Sequence, residues 1–166
     1  MSFDIITAGA SITPSWMTDV LQSRGTIDRT TSVATIEATD LADSGGLLSE
    51  LFRVEMTYDG GTGPTTAIIK LPIADDTQRL TADLLGFYDR ELAFYDQIAA
   101  GAPFDTPAVY GSAIAADSTD FVLVMEDVAE LRHVDQLDGM SLDDTKIVLT
   151  KMAEFHAQWW EHEDIP

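Results

Sequence analysis

The chain has 166 residues, 45% of them hydrophobic, which suits one domain with a substantial core and is too apolar for disorder. Its net charge of -20, from 29 acidic and 9 basic residues, argues against nucleic acid or an anionic membrane as main partner and fits a solvated acidic surface suited to a salty cell interior. Disulfides, thiolate zinc sites and cysteine nucleophiles are excluded by the absence of cysteine, no apolar run approaches the roughly 20 residues of a membrane helix, and the N-terminus lacks the basic-then-apolar pattern of a signal peptide.

Thr13-Pro14 reads as a helix cap and first-turn proline, opening a helix over Pro14–Arg24 that stops at Gly25. Arg29–Ala38 is β-rich. Asp40–Ser49 is turn-forming around Ser44-Gly45-Gly46. Glu50–Tyr58 alternates as a strand, with Leu51, Arg53, Glu55 and Thr57 on one side and Phe52, Val54, Met56 and Tyr58 on the other. Asp59–Pro64 is a hairpin connection to a strand that runs through Ala67-Ile68-Ile69 to Lys70 and closes at Pro72. Helices are predicted over Asp76–Leu85 and Gly86–Ala99, short strands over Pro107–Ser112 and Phe121–Met125. Ser141-Leu142-Asp143-Asp144 resembles a capping box and opens a last helix with Val148, Met152, Phe155 and Trp159 on one face. Consecutive β runs with short turns predict an α+β fold with an antiparallel sheet.

One pair stands out. Lys70 is one of only three lysines and ends an apolar strand. Glu91 lies amid Leu84, Phe87, Tyr88, Phe94, Tyr95 and Ile98, which share one face of an ideal helix. A carboxylate centred in an apolar stripe needs a cationic partner, because an unpaired buried charge is costly. Lys70 is the obvious candidate. An ordinary ion pair between strand and helix is the plainer alternative. His156, one residue off the last helix's apolar face, reads as a packing histidine.

The order of motifs resembles the N-terminal lobe of kinase-like phosphotransferases of the aminoglycoside phosphotransferase and choline kinase superfamily, closest to the ecdysteroid-kinase-like branch. The resembling segments are Gly45–Val54, Ala67–Lys70, Phe87–Tyr95, Val122–Val128 and Ala153–Trp160. The resemblance implies a kinase-like lobe over residues 1–126, then a hinge and the start of a C-terminal lobe over 127–166. It implies ATP and Mg²⁺ as cofactors. Lys70 would hold the α- and β-phosphates, aimed by Glu91. Gly45 and Gly46, with Ser49, would cover the phosphates; the family's first glycine is Ser44 here, and a plain hairpin turn is the alternative. Ile68, on the face of Lys70, would line the adenine pocket. The Glu126 carbonyl and Val128 amide would meet adenine, where a solvated turn is the alternative.

Kinase-like transfer also needs an aspartate in an His-x-Asp loop and an asparagine five residues on. His133-Val134-Asp135 precedes the last helix instead of following it, residue 140 is methionine, and the chain has no asparagine. No catalytic residue is therefore assigned, and the metal ligands are expected outside these residues. The implied function is ATP-dependent transfer of a γ-phosphate to a small-molecule hydroxyl, with this chain a fragment of the enzyme. A non-catalytic binding or regulatory module stands as the alternative, and an unrelated acidic α+β domain as a third. The resemblance leaves aminoglycoside, choline, sterol and sugar hydroxyls open as acceptors, with a slight edge to steroid-like ones. The reading further predicts a cytoplasmic location and self-association through an exposed apolar surface over Met152–Trp160.

Overall fold

A computed structural model describes residues 3–41, 48–116, 119–134 and 137–162. The order is α1 (Pro14–Ser23), β1 (Ser32–Asp40), β2 (Ser49–Asp59), β3 (Thr66–Pro72), α2 (Asp76–Leu84), α3 (Phe87–Ala93), β4 (Val109–Ile114), β5 (Phe121–Met125) and α4 (Leu142–Trp159). The five strands form one antiparallel sheet in the order β1-β2-β3-β5-β4. The α+β fold is that of a kinase-like N-terminal lobe followed by a helix.

Side-chain alternation divides the sheet's two faces between two cores. Val54, Ala67, Ile69, Leu71, Val122 and Val124 pack under α1, against Met17, Val20 and Leu21. Each fully buried aliphatic side chain there contributes about 1.5–3 kcal/mol. Thr13 caps α1 by accepting from the Trp16 N–H at 3.3 Å, with Pro14 at the first position. Thr18 joins α1 to β1, its hydroxyl accepting from the Val33 N–H at 2.9 Å. Gly111 of β4 lies so close to α1 that a Cβ there would stand 2.6 Å from Val20 Cγ1. The opposite, inner face carries Phe121, Leu123 and Met125, which with Ile68 meet Tyr88 and Leu92 of α3.

The stretch around Glu91 departs from the ideal helix expected of it. Gly86 adopts a left-handed conformation at φ +61° and separates α2 from α3. Phe94–Ile98 continues α3 as a π-helix, with a wider turn. Each break shifts the angular phase of the side chains after it. Leu84 and Phe87 are exposed, and the residues that α3 buries are Tyr88 and Leu92. Glu91 flanks that pair and is not centred in an apolar stripe.

α4 begins at the expected cap, where Ser141 accepts from the Asp144 N–H at 3.1 Å. None of its described residues is buried. Phe155 meets Phe104 and Phe94, with ring centroids 5.5 and 6.4 Å away. Gln158 donates to the Gly101 carbonyl at 2.8 Å. Val148, Met152 and Trp160 are exposed. So is His156, contrary to the packing role its sequence position suggested.

Candidate nucleotide site

Lys70 and Glu91 do meet. The Lys70 ammonium donates to Glu91 Oε1 at 2.5 Å. The side chains are 20% and 30% exposed, so the pair faces partly into solvent. An ion pair open to water contributes at most about 1 kcal/mol to stability. What the geometry gives is direction: α3 holds the lysine head at the end of β3.

The ends of the glycine-rich segment lie at this same end of the sheet. Leu51 is the register partner of Lys70, and the Leu41 N–H donates to the Leu51 carbonyl at 2.8 Å. Ser49 starts β2 opposite Pro72. The Tyr88 hydroxyl donates to the Leu48 carbonyl at 2.5 Å and its ring stacks on Phe121 at 4.2 Å. Burial pushes the Tyr88 hydroxyl above its ordinary pKa. Gly45 and Gly46 themselves lie outside the described residues.

Ile68 stands two residues before Lys70 on the same face, with Arg53 and Met125 as its cross-strand partners. Beyond it, about 13 Å from Lys70 at the rise of a strand, Thr66 borders a cleft of about 560 Å³. Its other walls include Arg53, Glu126, Asp127, Val128 and Leu131. Residues 126–131 leave β5 through an ordered turn. The Glu126 N–H donates to the Ala108 carbonyl at 2.8 Å, and the Ala108 N–H donates back to Glu126 Oε2 at 3.0 Å. The Val128 carbonyl accepts from the Leu131 N–H at 2.9 Å. Among the described residues no main-chain group engages the Glu126 carbonyl or the Val128 N–H.

Asp127 and Arg53 belong to this site and were not singled out from the sequence. Asp127 Oδ2 accepts from Arg53 Nε at 2.6 Å, and its Oδ1 from the Ala129 N–H at 3.0 Å. Burial alone would push this carboxyl up; the Ala129 N–H, the Arg53 guanidinium and the Thr66 hydroxyl hold it below the usual aspartate value. The alternation of β2 put Arg53 on one side with Leu51, Glu55 and Thr57, the register places that side on the face of Lys70, and an arginine amid a strand calls for a partner. Nothing in the sequence pattern pointed to a partner 74 residues away.

A cation, an aiming carboxylate, a strand leading away from them and a cleft with main-chain groups at its rim suit an elongated anionic ligand with a flat polar base. Among the described residues, no three His, Asp or Glu side chains gather as metal ligands. His133 lies 3.2 Å from the Val128 carbonyl through Nε2, and Asp135 is outside the described residues.

Comparison with curated proteins and with solved structures gave no match. The model of the ecdysteroid kinase-like family matches residues 45–159, a span that runs from the glycine-rich segment to the end of α4. With the Lys–Glu pair, strands β2 to β5 and the cleft all inside that span, the chain belongs to the ecdysteroid kinase-like family.

Proposed function

We propose that this chain is the nucleotide-binding lobe of an ATP-dependent phosphotransferase that acts on a small-molecule hydroxyl. Residues 1–126 would form the lobe, and 127–166 the hinge and the first part of a C-terminal lobe. The observation that carries the reading is the Lys70–Glu91 pair at one end of β3, with the cleft at residues 126–131 near the other. Lys70 acts as a point charge on the α- and β-phosphates. Glu91 orients its ammonium group. The backbone of Gly45 and Gly46, with Ser49, covers the phosphates, and Ile68 contacts the base. The Glu126 carbonyl and Val128 amide pair with its polar edge. ATP brings the phosphoryl group, and Mg²⁺ would neutralise developing charge. The reading places the protein in the cytoplasm, where ATP is available.

Binding is the direct test. Lys70→Ala should weaken ATP binding by tenfold or more, roughly the effect of one charge-assisted phosphate contact. The thermal midpoint should move little, since the ion pair itself contributes at most about 1 kcal/mol. Calorimetric titration with ATP checks the affinity and a thermal melt checks the midpoint. Equal affinity in wild type and variant rejects the assignment. The second reading, a non-catalytic kinase-like module, draws on the absence of asparagine and of a suitably placed His-x-Asp loop. It predicts nucleotide binding or partner binding without phosphate transfer by the natural protein.

A further inference from the structure

Arg53 has a place in the site that phosphate binding does not use. Cross-strand register sets Leu51 opposite Lys70 and Arg53 opposite Ile68. Opposed residues share a face of the sheet. Arg53 therefore stands on the face of Lys70, about 7 Å nearer the hinge. From there its Nε donates to Asp127 Oδ2 at 2.6 Å, and its Nη1 donates to Glu55 Oε1 at 2.5 Å. The Asp127 side chain is only 4% exposed. Its second oxygen accepts from the Ala129 N–H. One buried carboxylate thus grips the sheet with one oxygen and the hinge turn with the other. The guanidinium is planar and rigid, so this bond fixes direction as well as distance. The two peptide neighbours of Asp127 are Glu126 and Val128.

We propose that Arg53 and Asp127 are positioning residues for the nucleobase, clamping the hinge to β2 so that the Glu126 carbonyl and Val128 amide hold a fixed spacing that prefers adenine to guanine. The proposal rests on the reading of this chain as an ATP-binding lobe. Adenine offers an N6–H donor beside an N1 acceptor. Guanine offers the reverse at the same edge, an O6 acceptor beside an N1–H donor. A carbonyl followed by an amide complements the first and opposes the second. That opposition is steep only while the two groups cannot move. A displacement of about 1 Å is enough to undo such an alignment.

The test is the ratio of ATP to GTP affinity for the full chain, measured by calorimetry alongside the thermal midpoint. Wild type should prefer ATP by tenfold or more, as expected when a buried polar edge meets the wrong partner. Arg53→Gln and Asp127→Asn should each raise the ATP dissociation constant roughly tenfold while changing that for GTP less, so the ratio falls towards one. Arg53→Lys keeps the charge and loses the fork, and should recover only part of the ratio. The exchange Arg53→Asp with Asp127→Arg should recover more of it than either single exchange. A merely structural role would lower the number of binding sites per chain and leave the ratio unchanged. An unchanged ratio in folded variants overturns the proposal and leaves the ATP-lobe reading intact. If Arg53→Gln and Asp127→Asn do not fold, Arg53→Lys decides on the same ratio. Absence of ATP binding by the wild type overturns both readings.

Discussion

Asp127 carries a charge on a nearly covered side chain, and its hydrogen-bond partners favour the ionised form. Its pKa is held below the usual aspartate value. A carboxyl depressed in the fold contributes stability above its unfolded pKa, near 3.8. That contribution is lost as the pH falls through the lower, folded value. Denaturant melts between pH 6 and about 2 should therefore show wild type losing stability below about pH 4. Asp127→Asn, which has no proton to take up, should lose less over the same window; parallel curves would mean that the carboxylate is not held as described. Asp28 and Asp144 are depressed too, Asp28 by the hydroxyls and N–H groups of Thr30 and Thr31, Asp144 by Arg132 and Ser141. They contribute to the residual slope in that variant. Lys70 and Glu91 were readable because one is rare and the other is oddly placed. The reason given for the pairing was only half right, since neither is deeply buried. Arg53 and Asp127 hide better in sequence, because each looks like an ordinary charge among twenty-nine acidic and nine basic residues.

Elements with a local cause were legible and those with a non-local cause were not. α1, β2, β5 and α4 begin or end where a cap, a proline or an alternating pattern says they should. The π-helix at Phe94–Ile98 has no local signature, and it moved the apolar stripe of the helix around Glu91. Gly86 had been read as the start of a helix, yet its left-handed conformation makes it the break between two. A Cβ at Gly86 meets only Arg90 Nε, at 3.9 Å, so Gly86→Ala should cost only the backbone strain, about 1–2 kcal/mol. Gly111→Ala differs in kind. Its Cβ would collide with Val20 Cγ1 in the fully buried core, and the overpacking should cost about 1–3 kcal/mol. Urea unfolding ranks the two. A neutral Gly111→Ala would mean that α1 can move off the sheet, contrary to the packing described here.

At the scale of the molecule, one side of the sheet is finished and one helix is not. α1 seals the outer face, while α4 buries no described residue and leaves Leu142, Ile147, Val148, Leu149 and Met152 in solvent. Phe155, Trp159 and Trp160 border a shallow apolar hollow of about 570 Å³. The self-association proposed for this surface is testable directly. Light scattering should give a mass above 18.1 kDa that falls with dilution. Met152→Glu with Trp160→Glu should return the monomer and lower the fluorescence of a dye that binds apolar surface. A monodisperse wild-type monomer with no dye signal would reject it. Charge works against association here: at -20 the chains repel, so raising salt should strengthen self-association, opposite to the effect expected of a contact built from ion pairs. The sequence alone supplied the apolar face and the charge.

Tyr88 gives the site a mechanical property that no pairwise distance conveys. Its ring is wedged against Phe121 in the inner core, its hydroxyl holds the Leu48 carbonyl, and it sits three residues, less than one turn, before Glu91. The start of β2 and the carboxylate that aims Lys70 therefore hang from the same short helix. A rotation of α3 that withdrew Glu91 would pull on the strand end beside the glycines in the same stroke. In the proposed nucleotide site, Lys70 and the start of β2 would therefore engage or release together.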